Sequence, residues 1–200
     1  KDDEGMLFAM SGLSGMHDNN GEYVKAHALN IEILVTMRNI YGNNHRRIMF
    51  ALNNLGKSFE RQRKYREAET LHLESLAIAR NTLPLHHPLR AYSLKNLILN
   101  YELQGRSDLI LPLLRASLES DLLFVQREAP VMLRQERQKF LDNVDQSMYN
   151  LSFSLALKGG AKEVGLALFA RLNRHGLLEE LEKRQSEIAA LTTEQRELVK

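Results

Sequence analysis

Apolar residues return along the first part of the chain at steps of three and four, and the pattern recurs as a block. In "IMFALNNLGKSFE" the positions Met49, Leu52, Leu55 and Phe59 fall on one face of a helix, with Gly56 beside them. The polar run "ERQRK" interrupts. Tyr65, Ala68, Leu71, Leu76 and Ala79 then mark one face of a second helix, with Ser75 among them. "LPLHHP" closes the block, where Pro84 stops one helix and Pro88 suits the first turn of the next. Strand-like alternation is almost absent, so the chain reads as all-α.

The block is written three times at a spacing of 42 residues. Phe8, Phe50 and Tyr92 correspond, as do Met10, Leu52 and Leu94, then Leu13, Leu55 and Leu97. Tyr23, Tyr65 and Ser107 match, followed by Ala26, Ala68 and Ile110, and by Leu34, Leu76 and Leu118. His45 and His87 hold the same register, which marks them as turn residues. Gly56, Ala68 and Ser75 are small where paired helices must cross closely. Neither helix of a block can bury its stripe alone. Stacked pairs bury a continuous core, which is the logic of a solenoid.

From about residue 121 the register is lost while the helical period persists. Leu133, Phe140, Leu141, Val144, Met148, Leu151 and Leu155 form one expected stripe, ended by Gly159 and Gly160. A long amphipathic helix is then expected through Val164, Leu168, Leu172, Leu178, Leu181 and Ile188. Gly176 inside it costs about 1 kcal/mol and marks a bend or a close contact. Thr192 or Thr193 gives a fresh N-cap signal. The expected organisation is three helix pairs over 1–120 and a helical extension over 121–200 that continues or caps the stack.

Composition narrows the chemistry. The 200 residues are 44% apolar and 26% charged, with a net charge of +2, so nothing announces nucleic acid or an anionic membrane. No apolar run approaches the roughly 20 residues of a membrane span. Cysteine is absent, which removes thiolate metal sites and a cysteine nucleophile and fits a reducing, cytoplasmic setting. Both ends read as cut: "KDDEG" is no initiator sequence, and "TEQRELVK" stops inside a helical pattern.

The phrases "ALNNLG", "YREAETLHLESLAIAR" and "HHP", at 42-residue spacing, resemble tetratricopeptide (TPR) repeats of the kinesin-light-chain type over about residues 6 to 120. The resemblance implies a right-handed superhelix in which the first helix of each pair lines an inner groove. The second unit fits well and the first is degenerate. His17 stands where a large apolar residue is usual, Ser107 replaces the equivalent of Tyr65, and Ile110 replaces a close-packing alanine. The later segments "FLDNVDQSMYNLSFSLAL" and "ALFARLNRHGLLEELEKRQ" resemble, less specifically, the helices that follow TPR arrays in bacterial TPR–CHAT proteins. That resemblance implies a caspase-like protease beyond Lys200 in the parent protein, although His175–Gly176 replaces a frequent lysine–glycine pair.

Other chemistry is thinly supported. Adjacent His86 and His87 lack the i, i+4 spacing of a helical zinc pair, and His72 reads as a satisfied core histidine, so no metal is expected. Glu60, Glu67, Glu69, Glu74 and the run Glu179, Glu180, Glu182 interleave with basic residues as a solvated face does. No nucleophile elbow or phosphate loop appears. No cofactor and no catalysis are expected. The basic run from Arg61 to Arg66 reads as a soluble loop between helices.

The expected site is the groove. Its set is Phe8, Phe50, Asn53, Asn54, Lys57, Tyr92, Lys95, Asn96 and Leu99. Aromatic rings offer contact area with little rotamer entropy lost, asparagine amides can pair with a peptide backbone, and lysines suit acidic groups. The expected function is protein–protein interaction, with a peptide or partner helix in the groove. Two alternatives stand beside it: a regulatory arm of a CHAT-type protease, and a scaffold that self-associates through helices at 161–200.

Overall fold

A computed structural model describes residues 2–128, 146–158, 160–168 and 170. Six helices follow one another from the amino-terminal end: α1 (Asp2–Asn19), α2 (Tyr23–Tyr41), α3 (Ile48–Arg61), α4 (Tyr65–Thr82), α5 (Pro88–Leu103) and α6 (Ser107–Glu128). Helix α7 spans Gln146–Lys158, and residues 161–168 are also helical. Among the described residues there is no strand. The chain divides into two compact units, Lys1–Leu113 and Leu114–Lys200, with the division inside α6. The sequence reading placed the end of the array at 120.

In the first unit the helices pair as α1–α2 and α3–α4, and each of α1 to α4 packs on the next. The apolar core joins Leu7, Ile33, Leu34, Ile48, Leu52 and Leu55, with Ile78 and Ala79 of α4. Register-related positions share burial in the second and third pairs: Leu52, Leu55, Leu94 and Leu97 are all buried. Ala26, Ala68 and Ile110 are buried alike, so the larger residue in the third pair is accommodated.

The turns repeat as faithfully as the core. Gly21, Arg63 and Gly105 stand 42 residues apart, and each has a positive φ, of 76°, 59° and 70°. Each first helix closes in the same way. The N–H groups of Glu22, Lys64 and Arg106 reach back to the carbonyls of His17, Phe59 and Tyr101, and those of Gly21, Arg63 and Gly105 to the carbonyls of Asp18, Glu60 and Glu102. This is the Schellman closure, which satisfies two orphan carbonyls and asks for a left-handed residue. Glycine supplies that conformation freely, and Arg63 adopts it at a cost. At the opposite turns His45 Nδ1 accepts from the Arg47 N–H and His87 Nδ1 from the Leu89 N–H, each at 3.2 Å. His87 caps α5, with Pro88 at its first turn, as the sequence suggested.

Between α3, α4 and α5 a polar network runs through the apolar interior. His72 is fully buried, with Nδ1 3.1 Å from Asn53 Oδ1 and Nε2 3.1 Å from Glu60 Oε1. Asn53 Nδ2 donates to Ser75 Oγ, which lies 3.1 Å from Ser93 Oγ. Asn100 Nδ2 donates to Glu60 Oε1 and to the Tyr65 carbonyl, and Gln104 and Arg106 converge on Glu69. Burial raises the Glu69 pKa, but hydrogen bonds from Gln104 and Tyr101 and the Arg106 guanidinium outweigh it, so the carboxyl sits below its usual range. Burial, and then Glu69, push Tyr101 up. His72 is thus a satisfied interior residue.

In the second unit Leu114, Leu118, Met148, Leu166, Ala167 and Ala170 are buried. Met148 is the buried point of the expected stripe, with Leu151 and Leu155 half-buried. Val164 and Leu168, expected on a buried face, are 52% and 54% exposed, and the interior positions are Leu166, Ala167 and Ala170 instead. Two of these are alanines, which a stripe drawn through large side chains passes over. Leu133, Phe140, Leu141, Val144 and every expectation from Leu172 onward, including Gly176 and the Thr192–Thr193 cap, lie outside the described residues.

Candidate functional site

Helices α1, α3 and α5, related by the 42-residue register, carry the aromatic row. Phe8 is 83% exposed and Phe50 47% exposed. Phe8 stands clear because Gly5 and Gly12, its neighbours one turn away on α1, project nothing beside it. The rings of Phe50 and Tyr92 lie 6.3 Å apart at 37°. Lys57 Nζ donates to the Tyr92 hydroxyl at 3.1 Å and sits 5.2 Å from its ring centroid, a cation–π contact. Phe50, Tyr92 and Lys57 therefore form one cluster across α3 and α5.

Phe8 and Phe50 also share an open cavity of about 350 Å³, lined further by Leu7, Ser11, Met37, Tyr41, Glu4 and Arg47. Its rim is polar. Arg47 donates to both Glu4 and the Tyr41 hydroxyl, and Tyr41 donates to Glu4 Oε1 at 2.9 Å. The Arg47 guanidinium lies 5.0 Å over the Tyr41 ring, and the His45 ring stacks on Tyr41 at 4.9 Å. The hydrogen bond from Arg47 holds the Glu4 carboxyl below its ordinary range, helped by Tyr41. The arrangement is an apolar recess with a charged edge, a shape that receives an apolar side chain.

The remaining expected residues divide. Asn54 is exposed, and Lys57, Lys95 and Leu99 are half-buried. Asn53 requires a correction: it was expected on the groove and is fully buried, its amide engaged by Ser75 and His72. Successive helical residues point about 100° apart, so Asn53 and Asn54 cannot share a direction. Asn96 is also interior, at 2% exposure, although its register partner Asn54 is not. Glu4, Tyr41 and Arg47 were missed. They have no counterparts one block later, where Arg46, Leu83 and Leu89 stand, so the repeat could not single them out.

Among the described residues no group of three histidine, aspartate or glutamate side chains is arranged to hold a metal ion, and no helix is long and apolar enough to cross a membrane.

Comparison with known proteins agrees with this architecture. No curated protein sequence matches significantly. Among solved structures, BtubC (BKLC) from P. vanneervenii superposes with a TM-score of 0.59 at 15% identity, covering 96% of this chain and 68% of that one. A Podosopora anserina protein described as a kinesin light chain with nearly identical TPR-like repeats gives 0.53 at 18% identity, covering 93% and 98%. At such identities the likeness is one of fold. The family model for the tetratricopeptide repeat matches residues 6–81 and 52–122, which together run from α1 into α6. The chain belongs to the tetratricopeptide repeat family.

Proposed function

We propose that the face made by α1, α3 and α5 binds a peptide or a helix of a partner protein, and that this binding, with no bond made or broken, is what the chain does. Tetratricopeptide repeats serve as protein-interaction modules. The observation that carries the finer reading is the row Phe8, Phe50 and Tyr92. It leaves Phe8 and Phe50 exposed, and these two open on an apolar recess of about 350 Å³. Exposed aromatics beside a recess edged by Arg47 are the groups that dominate interface energetics. Neither a protease-regulating role nor self-association through 161–200 has an observation of its own among the described residues.

The test is peptide selection on the intact 200-residue chain, followed by titration of the selected peptides against a Phe50→Ala, Asn54→Ala, Tyr92→Ala variant. We expect about tenfold or greater weakening, with helical content unchanged. Peptides that bind the variant as tightly as the parent would remove the groove from consideration.

A further inference from the structure

The first pair presents to solvent a face that the second pair keeps covered. Ile48, Ala51, Leu55 and Ser58 of α3 are buried at 0%, 3%, 6% and 0% exposure. What covers them is α2: Ile33 and Leu34 belong to the same core as Ile48, Ala51 and Leu55, with Met37 packed at its edge, and His27 meets Ser58. The positions 42 residues earlier, on α1, are Met6, Ala9, Leu13 and Met16. Every one is apolar and every one is exposed, with Met6 at 48%, Leu13 at 44% and Met16 at 62%.

We propose that this face of α1 is a docking site for the second helix of another tetratricopeptide-type pair, seated as α2 is seated on α3. The register identifies the occupant, because the same four positions already have one in this chain. Ile33, Leu34 and Met37 of that occupant share the apolar core with Ile48, Ala51 and Leu55. The α1 stripe suits such a helix in full, since Met16 replaces Ser58 and leaves no polar group that needs a partner such as His27. It offers no charge to an ionic ligand. A second copy of this chain cannot supply the helix from α2 or α4, whose own faces are taken by α3 and α5. The outer stripe of α2, with Val24, Ile31 and Val35, carries no such argument. Its counterparts Arg66, Leu73 and Ala77 on α4 are exposed as well, so that side faces water in both pairs.

The test extends the full chain by an in-register copy of residues 1–42, so that a copied α2 precedes α1 as α2 precedes α3. Stability in such arrays sums over neighbouring contacts, so we expect a single urea transition at a higher midpoint than the parent's. Leu13→Asp in the original α1 should abolish that gain while leaving the unextended chain's midpoint where it was. Three results would overturn the proposal. One is an extended chain that melts in two steps with the parental midpoint retained. Another is an equal loss from Leu13→Asp in both chains. The third is an unextended chain that sediments as a dimer dissociated by Leu13→Asp, which would give the face to a second copy.

Discussion

The imidazole of His72 lies against the bare backbone of Gly56. A methyl group at position 56 would stand 2.5 Å from the ring's Cε1 and 2.8 Å from its Nε2. That ring is hydrogen-bonded on both sides, so it has little room to move away. Gly56→Ala is therefore expected to destabilise the chain by about 1–3 kcal/mol, the scale of overpacking in a well-filled interior. Urea unfolding measures it. In a double-mutant cycle with His72→Ala the two losses should fall short of additivity, because the clash is with the ring itself.

Arg63 is the one non-glycine at the three left-handed turns, with a φ of 59°. Arg63→Gly should raise stability by about 0.5–1 kcal/mol, the left-handed strain relieved less the chain entropy added. Gly21→Ala and Gly105→Ala should lower it. A thermal scan of the three variants compares them directly, and a destabilised Arg63→Gly would show that the arginine side chain has a role the turn geometry does not require.

The two asparagines at 53 and 54 should behave oppositely. Asn53→Ala removes one interior hydrogen-bond partner from each of Ser75 and His72 and is expected to cost about 1–3 kcal/mol. Asn54→Ala removes an exposed side chain and should change stability by less than about 0.5 kcal/mol. Denaturant midpoints separate them, and equal losses would contradict the interior placement of Asn53.

His87 caps α5 through an unprotonated Nδ1. Burial, then the charges of Arg46 and His86, hold its pKa below 6.5, and burial followed by Lys64 does the same for His27. The unfolded chain takes up these protons first as pH falls. Their contribution to stability is thus whole above pH 6.5 and is lost as pH drops below that value toward the folded-state pKa values. Midpoints measured from about pH 8 to about pH 5 should decline. His87→Asn, which keeps a capping acceptor without a titrating ring, should flatten part of the decline. Glu69, whose pKa is likewise depressed, adds a further loss only below pH 4.5.

The array was legible because burial in stacked helices writes itself into a fixed interval. Leu55 and Leu97, matched by spacing alone, occupy equivalent interior positions. Pro88 and the paired histidines placed the turns. The candidate site was half legible. The row Phe8, Phe50 and Tyr92 lies on the first helices as read, whereas Asn53 and Asn96 turned inward. Hydropathy assigns an asparagine to the surface, and for Asn53 only the partners Ser75 and His72, brought from α4, make an interior amide favourable. The recess edge of Glu4, Tyr41 and Arg47 depends on contacts across three helices of the first two pairs, which no local pattern encodes.

The seams between neighbouring pairs differ in substance, and temperature will tell them apart. Between the first pair and the second the contact is mostly oily, with a few polar links such as His27–Ser58 and Arg38–Glu74, while across α3, α4 and α5 the oily contact is also knitted throughout by serine, asparagine, histidine and glutamate. Attraction between oily surfaces fades in the cold, and knitted amides and carboxylates do not share that weakness. Chilled toward freezing, the molecule should part first at the joint behind its leading pair, keeping its middle three rods together as a smaller, colder-hardy remnant.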